Sequence, residues 1–79
     1  MTKRDIQNYI EIELGKPMRH DPEMLLEATQ ETASEFELDE WSVLRFMLAD
    51  ESIGHSHSYG FHTAYGRAIA NHFSFIYHG

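Results

Sequence analysis

The closing stretch of the chain, residues 61–77 (FHTAYGRAIANHFSFIY), constrains the fold more than any other segment. Its apolar residues recur at steps of three and four, the period of one face of an α-helix. They are Phe61, Ala64, Tyr65, Ala68, Ile69, Phe73 and Ile76. A second stripe at steps of four is nearly all small and consists of His62, Gly66, Ala70 and Ser74. We therefore predict a helix that other helices approach closely and around which the rest of the chain is organised.

Three further helices are predicted from their start signals. Thr2 is a suitable N-cap with Asp5 three residues later, and Asp39 caps a third apolar segment. Asp21 followed by Pro22 is the clearest start signal, because proline is favoured at the first helical position. Gly15 suits the left-handed residue that follows a helix end. The predicted helices span about 3–14, 22–35, 40–50 and 59–77.

Together these segments predict an all-α fold, a compact bundle of about four helices in a single domain, residues 1–79. Short connections favour antiparallel neighbours. The third helix is apolar over most of its circumference, so helices 3 and 4 are expected to form the core pair. The chain has 79 residues and no cysteine, so its core is thin and no disulfide supports it.

Charge divides the chain into two parts. Residues 1–51 hold all 13 acids and five of the six Lys and Arg residues, a net charge of −8, whereas residues 52–79 hold Arg67 and five of the six histidines, a net charge of +1. So few bases make direct nucleic-acid binding improbable. The N-terminus does not resemble a signal peptide, and no stretch reaches the ~20 apolar residues needed to span a membrane. We expect a cytoplasmic protein.

The predicted second helix has two contrasting sides. Its inner side is expected to be Leu25, Ala28, Thr29, Thr32 and Phe36. Its outer side carries what we call the acid row, Glu23, Glu27, Glu31 and Glu35. Like charges four residues apart destabilise a helix by a few tenths of a kcal/mol per pair. Such a row is most often a solvated face. It can also bind a basic protein surface, because its spacing loosely resembles that of phosphates along a nucleic acid.

The predicted function follows from the acid row. We expect a small acidic protein–protein interaction module that regulates or inhibits a partner whose surface is basic and possibly binds nucleic acid. Apolar anchors are expected from the third helix, at Trp41, Phe46 and Met47, since aromatic residues and methionine are favoured in interface cores. No cofactor is expected for this function.

Histidines provide the first alternative. A site for a transition metal such as Zn would use His55, His57 and His62 with Asp50 or Glu51, because imidazole and carboxylate groups suit such ions. His72 cannot join His62, because ten helical residues separate them by about 15 Å. The competing interpretation is a polar loop in which Ser56 or Ser58 caps the last helix.

The small stripe His62, Gly66, Ala70 and Ser74 indicates a close-packing seam. Glycine within a helix costs about 1 kcal/mol relative to alanine, which is tolerable where another backbone comes close. The neighbour is either a helix of the same chain or the same helix of a second copy in a homodimer. A pH-responsive homo-oligomer is a further alternative, because histidines gain charge near and below pH ~6.5.

Catalysis is not expected. Ser56 and Ser58 lie next to histidines, but neighbours in sequence are not a catalytic triad, which requires an orienting acid and an oxyanion site in space. The sequence also lacks a glycine-rich phosphate loop and an HExxH motif.

Overall fold

The computed structural model describes residues 1–48 and 63–77, and most of these residues are helical. The elements are α1 (Lys3–Asn8), a π-helical segment (Tyr9–Glu13), α2 (Pro22–Phe36), α3 (Glu40–Met47) and α4 (Ala64–Ile76). No strand occurs within the described ranges. The predicted all-α class is therefore confirmed.

Capping side chains fix where the helices begin. Thr2 and Asp5 form a reciprocal capping box, in which the Thr2 amide donates to Asp5 Oδ2 at 2.8 Å and the Asp5 amide donates to Thr2 Oγ1 at 3.2 Å. Asp21 accepts from the amide of Glu23 at 3.0 Å, and Asp39 from the amide of Ser42 at 3.0 Å. All three predicted caps are confirmed.

The last helix begins later than predicted. Thr63 has an extended backbone, and its hydroxyl accepts a hydrogen bond from the Gly66 amide at 2.9 Å, so it is the N-cap of α4. The helix therefore starts at Ala64 and not near residue 59, and neither Ser56 nor Ser58 is its cap. The third helix ends at Met47 with Leu48 as its C-cap, and the last two residues of its predicted span, 49–50, lie outside the described residues.

The first helix changes its period before it ends. The Leu14 amide donates to the Tyr9 carbonyl five residues back at 3.0 Å, which is the bond of a π-helix and not of an α-helix. In a continuous α-helix, Glu13 would follow Ile6 and Ile10 into the apolar stripe at the i+7 position. The wider turn leaves Glu13 exposed, while Leu14 packs against the core.

Helix α2 lies at the centre of the fold, because it packs against α1, α3 and α4. The prediction that helices 3 and 4 form the core pair is therefore wrong. The physical reason lies in α3, which spans only eight residues and buries only Val43 and Leu44 within them. On α2 the inner side buries residues at helical spacing over its whole length, namely Leu25, Ala28, Thr29, Thr32 and Ala33.

Helix α4 packs antiparallel to α2. At one end the Phe36 ring lies edge-on to the rings of Tyr65 and His72, each at 5.8 Å between centroids. At the other end His20 Nδ1, just before α2, is 3.0 Å from the hydroxyl of Tyr77, just after α4.

The buried side of α4 differs from the predicted one. Gly66, Ile69 and Phe73 are buried, whereas the predicted core residues Ala64, Tyr65 and Ala68 are exposed. The helix is rotated so that Gly66 faces inward, and Ile69 and Phe73 lie on the same side at the i+3 and i+7 positions. Phe61, also predicted on this face, lies outside the described residues.

Helix α2 ends in a left-handed residue. Glu37 has φ 54° and ψ 49°, and the Leu38 amide donates to the Ala33 carbonyl at 2.8 Å. This 6→1 bond is that of a Schellman motif, in which glycine is the usual left-handed residue. Glu37 therefore occupies a position that is strained for any side chain with a Cβ atom.

Candidate protein interface

The acid row lies on the exposed side of α2 over the length of that helix. Glu23, Glu27, Glu31 and Glu35 are all exposed. Each step of four residues advances about 40° around a helix of 3.6 residues per turn, and climbs about 6 Å. The row therefore turns through about 120° while it climbs about 18 Å, so it crosses the outer face diagonally.

No base of the same region neutralises this face. The segment from residue 20 to residue 44 has eight acids and no Lys or Arg: Asp21, Glu23, Glu27, Glu31, Glu35, Glu37, Asp39 and Glu40. Within the described ranges the ion pair present joins the N-terminal amine to Glu40 at 3.7 Å, outside the acid row. The four carboxylates of the row make no ion pair there, so the field of this face is negative along its full length.

Helix α2, which carries the row, packs against α1, α3 and α4, more neighbours than any other described element has. The inner side of α2 carries Leu25 and Ala28, which are 2% and 0% exposed, directly behind the outer glutamates. A row of charges on such an element keeps its spacing when a partner approaches, because the backbone that carries it is held on three sides.

The predicted apolar anchors lie on α3 and are partly buried. The Trp41 ring meets Tyr9 edge-on at 5.7 Å between centroids, and Arg45 Cζ lies 5.7 Å from the Trp41 ring centroid. Trp41 and Met47 both pack against the core, and Phe46 is half-buried. These side chains already have contacts in their own chain, and their role as anchors stays a prediction.

The predicted seam is present only in part among the described residues. Gly66 is buried, Ala70 is half-buried and Ser74 is exposed, whereas His62 lies outside the described residues. The small residues nearest the start of α4 therefore face inward, and Ser74 faces outward. A seam with a second copy of the chain stays a prediction.

The predicted metal ligands cannot be placed. His55, His57, His62, Asp50 and Glu51 all belong to residues 49–62, which the structure does not describe. Among residues 1–48 and 63–77 there is no group of three His, Cys, Asp or Glu side chains arranged to hold an ion. The metal alternative stays a prediction.

Sequence reasoning missed two features of potential functional interest. One is the aromatic contact of Phe36 with Tyr65 and His72, which joins α2 to α4. The other is a concave loop surface that contains Lys16, Arg19 and His20. The sequence does contain a signal for this loop surface. The chain has a net charge of −7, yet three basic side chains lie within five consecutive residues of it.

Two negative findings complete the description of the chain. Within the described ranges, none of the helices has both the length and the apolar character that a membrane crossing requires. No protein-family model, no curated protein and no solved structure shows significant similarity to this chain.

Proposed function

We propose that this chain is a protein–protein interaction module that binds the basic surface of a partner protein through the outer face of α2, and thereby regulates or inhibits that partner. One observation carries the proposal. Four glutamates at steps of four lie exposed on α2, and no ion pair neutralises them within the described residues.

The cost of the acid row supports a functional use. Three like-charge pairs at i, i+4 each destabilise α2 by about 0.2–0.5 kcal/mol. A lysine in place of one of these glutamates would turn the repulsion between neighbouring side chains of the row into attraction. None of the four positions has a lysine. A basic partner surface would offset this repulsion on binding and would associate faster through electrostatic steering.

A surface that binds nucleic acid is the favoured partner surface. Such surfaces present Lys and Arg side chains at the spacing of successive phosphates. The Cβ atoms of successive members of the acid row lie about 5–6 Å apart, because residues four apart are neighbours on the helix surface. Occupation of the partner's phosphate contacts by these carboxylates would exclude nucleic acid, which is the inhibitory action that we propose.

The test is a capture experiment with a matched charge control. Immobilised wild-type protein and the variant Glu27→Gln with Glu31→Gln are exposed to a lysate of the source cell, and bound proteins are identified at several salt concentrations. The control is Glu11→Gln with Glu13→Gln, which removes the same charge from exposed positions of the π-helical segment. We expect basic proteins on the wild type and the control, reduced capture by the α2 variant, and steep loss of capture with salt.

A second measurement addresses the partner surface. Duplex DNA and single-stranded RNA are added to the captured complex, and release of the partner is followed. Release by either nucleic acid supports a shared surface. Capture that is insensitive to salt and unchanged in the α2 variant would contradict the proposal and leave the acid row a solvated face.

A further inference from the structure

The loop between the π-helical segment and α2 forms a concave basic surface within an acidic protein. The concavity has a volume of ≈ 220 Å³ and is lined by Lys16, Pro17, Arg19 and His20. None of these lining residues is acidic. We call this surface the basic pocket, and we propose that it binds a small tetrahedral oxyanion, either inorganic phosphate or the phosphate group of a small monoester.

The residues around the pocket are held by contacts that the backbone and core provide. The Lys16 amide donates to the Ile10 carbonyl at 3.0 Å, which fastens the loop to the π-helical segment. Met18 packs against the hydrophobic core, and His20 Nδ1 lies 3.0 Å from the Tyr77 hydroxyl. Pro17 has a fixed φ angle. The cations therefore project from an ordered loop, which lowers the entropy cost of gathering them around a ligand.

Chemistry and size both favour phosphate. Arg19 offers the planar fork of donors that matches two phosphate oxygens, and Lys16 adds a point charge. A cleft lined by one sign of charge concentrates ions of the opposite sign. The volume of ≈ 220 Å³ lies below the range of about 300–1,000 Å³ that is typical for drug-sized ligands, so a small anion fits better than a whole nucleotide.

Among the described residues, the acids nearest to the pocket in sequence are not part of its lining. Asp21 follows His20, but its Oδ1 accepts from the amides of Glu23 at 3.0 Å and Met24 at 3.4 Å and is engaged with the start of α2. Glu13 is exposed on the preceding π-helical segment. π-Helical turns occur frequently at functional sites, and this one ends three residues before Lys16, the first lining residue of the pocket.

The test follows backbone amide shifts of ¹⁵N-labelled protein by NMR. Sodium phosphate, glycerol phosphate, sodium acetate and sodium chloride are titrated at constant ionic strength and pH. We expect saturable shifts of the Lys16, Arg19 and His20 amides with either phosphate compound, with a dissociation constant on the order of 1 mM. The compound with the lower dissociation constant shows whether the pocket prefers inorganic phosphate or a phosphate monoester. Shifts that chloride reproduces, or that acetate produces with equal affinity, would overturn the assignment.

Charge variants separate the pocket from the general field of the protein. Arg19→Gln and Lys16→Gln should each weaken phosphate binding about tenfold, which corresponds to the loss of one charged hydrogen bond. Lys3→Gln with Arg4→Gln removes exposed cations of α1 and should leave the affinity unchanged. Equal weakening in the α1 variant would overturn the proposal. Lys16→Arg keeps the charge and should retain binding, and far-ultraviolet circular dichroism checks that each variant is folded. This outcome is independent of the acid row, which the capture experiment tests.

Discussion

Helices α2 and α4 are packed antiparallel and are similar in length, 15 and 13 residues, but their sequences define their inner faces very differently. In α2 four glutamates occupy one side, and the opposite side is buried at four of its five predicted positions, while Phe36 is only half-buried and Ala33 is buried in addition. In α4 the charged side chain is Arg67, and apolar residues occur around the whole helix. Charged residues identify the face of a helix that stays exposed to solvent. Apolar residues do not by themselves identify the buried face, because small proteins leave many apolar atoms exposed.

Each helix also departs from the usual rule that polar groups are exposed and aromatic rings are buried. On α4, Phe75 is 81% exposed and Tyr65 is 54% exposed. On α2, the hydroxyls of Thr29 and Thr32 are buried and have no hydrogen-bond partner within the described part of the chain. The acidic helix α2 therefore buries polar atoms, while α4, which has no acidic residue, exposes aromatic rings. Three predictions test this contrast.

The largest effect is expected from a matched pair of phenylalanines on α4. Phe73 is 3% exposed, while Phe75, two residues later, is 81% exposed. Phe73→Ala should lower the free energy of unfolding by about 3–5 kcal/mol, because it leaves a cavity in the core. Phe75→Ala should change it by less than about 0.5 kcal/mol. Urea denaturation followed by circular dichroism gives both values.

A comparable loss in both variants would contradict the description of α4. It would mean that the outer side of the helix is covered in solution. Phe73→Leu keeps most of the buried volume and provides a measurable variant if Phe73→Ala does not fold.

The second effect concerns the inner side of α2. Thr29→Val and Thr32→Val should each raise the free energy of unfolding by about 1 kcal/mol, because valine has the same shape and removes a buried hydroxyl without a partner. Thr29→Ser is the matched control: it keeps the hydroxyl and removes a methyl group, and should lower stability by about 1 kcal/mol. Thermal and urea unfolding measure both changes. If valine proves destabilising at both sites, the hydroxyls have partners in solution.

The smallest effect is expected from glycine substitutions at Glu37, which follows α2, and at Glu35, which lies within it. Glu37→Gly should raise the free energy of unfolding by about 0.5–1 kcal/mol, because glycine adopts the φ of 54° without steric cost. Glu35→Gly, within the helix, should lower it by about 0.5–1 kcal/mol. Both variants remove one negative charge, so the opposite signs isolate the backbone effect. Equal signs in urea unfolding would contradict the left-handed conformation of Glu37.

The parts of the fold that could be predicted are those with local causes. Thr2, Asp21 and Asp39 each accept a bond from an amide two or three residues later, so the cap and its target are read from the same short segment. The acid row could be predicted for a similar reason, because its four members lie on one helix at a fixed spacing.

The parts that could not be predicted depend on distant packing. The rotation of α4 is set by contacts with α2, and no charged side chain on α4 other than Arg67 indicated which face was outside. The centrality of α2 depends on how much apolar surface each helix contributes to the whole core. The grouping of Lys16, Arg19 and His20 within five residues is visible in the sequence, but that they line one concavity is not determined by their spacing.

The π-helical segment has a consequence for the length of the chain. A π turn is the form that an α-helix takes when it accommodates one residue more than its period allows, and Tyr9–Glu13 holds such an extra residue. The wider turn absorbs the ~100° of rotation that an extra residue would add in a regular α-helix, so Leu14 takes the inward position that Glu13 would otherwise occupy. The direction in which the chain leaves the first helix toward Lys16 is thus kept despite the extra residue. A relative of this protein that is one residue shorter here would have a regular α-helical turn, the same core stripe and the same loop direction.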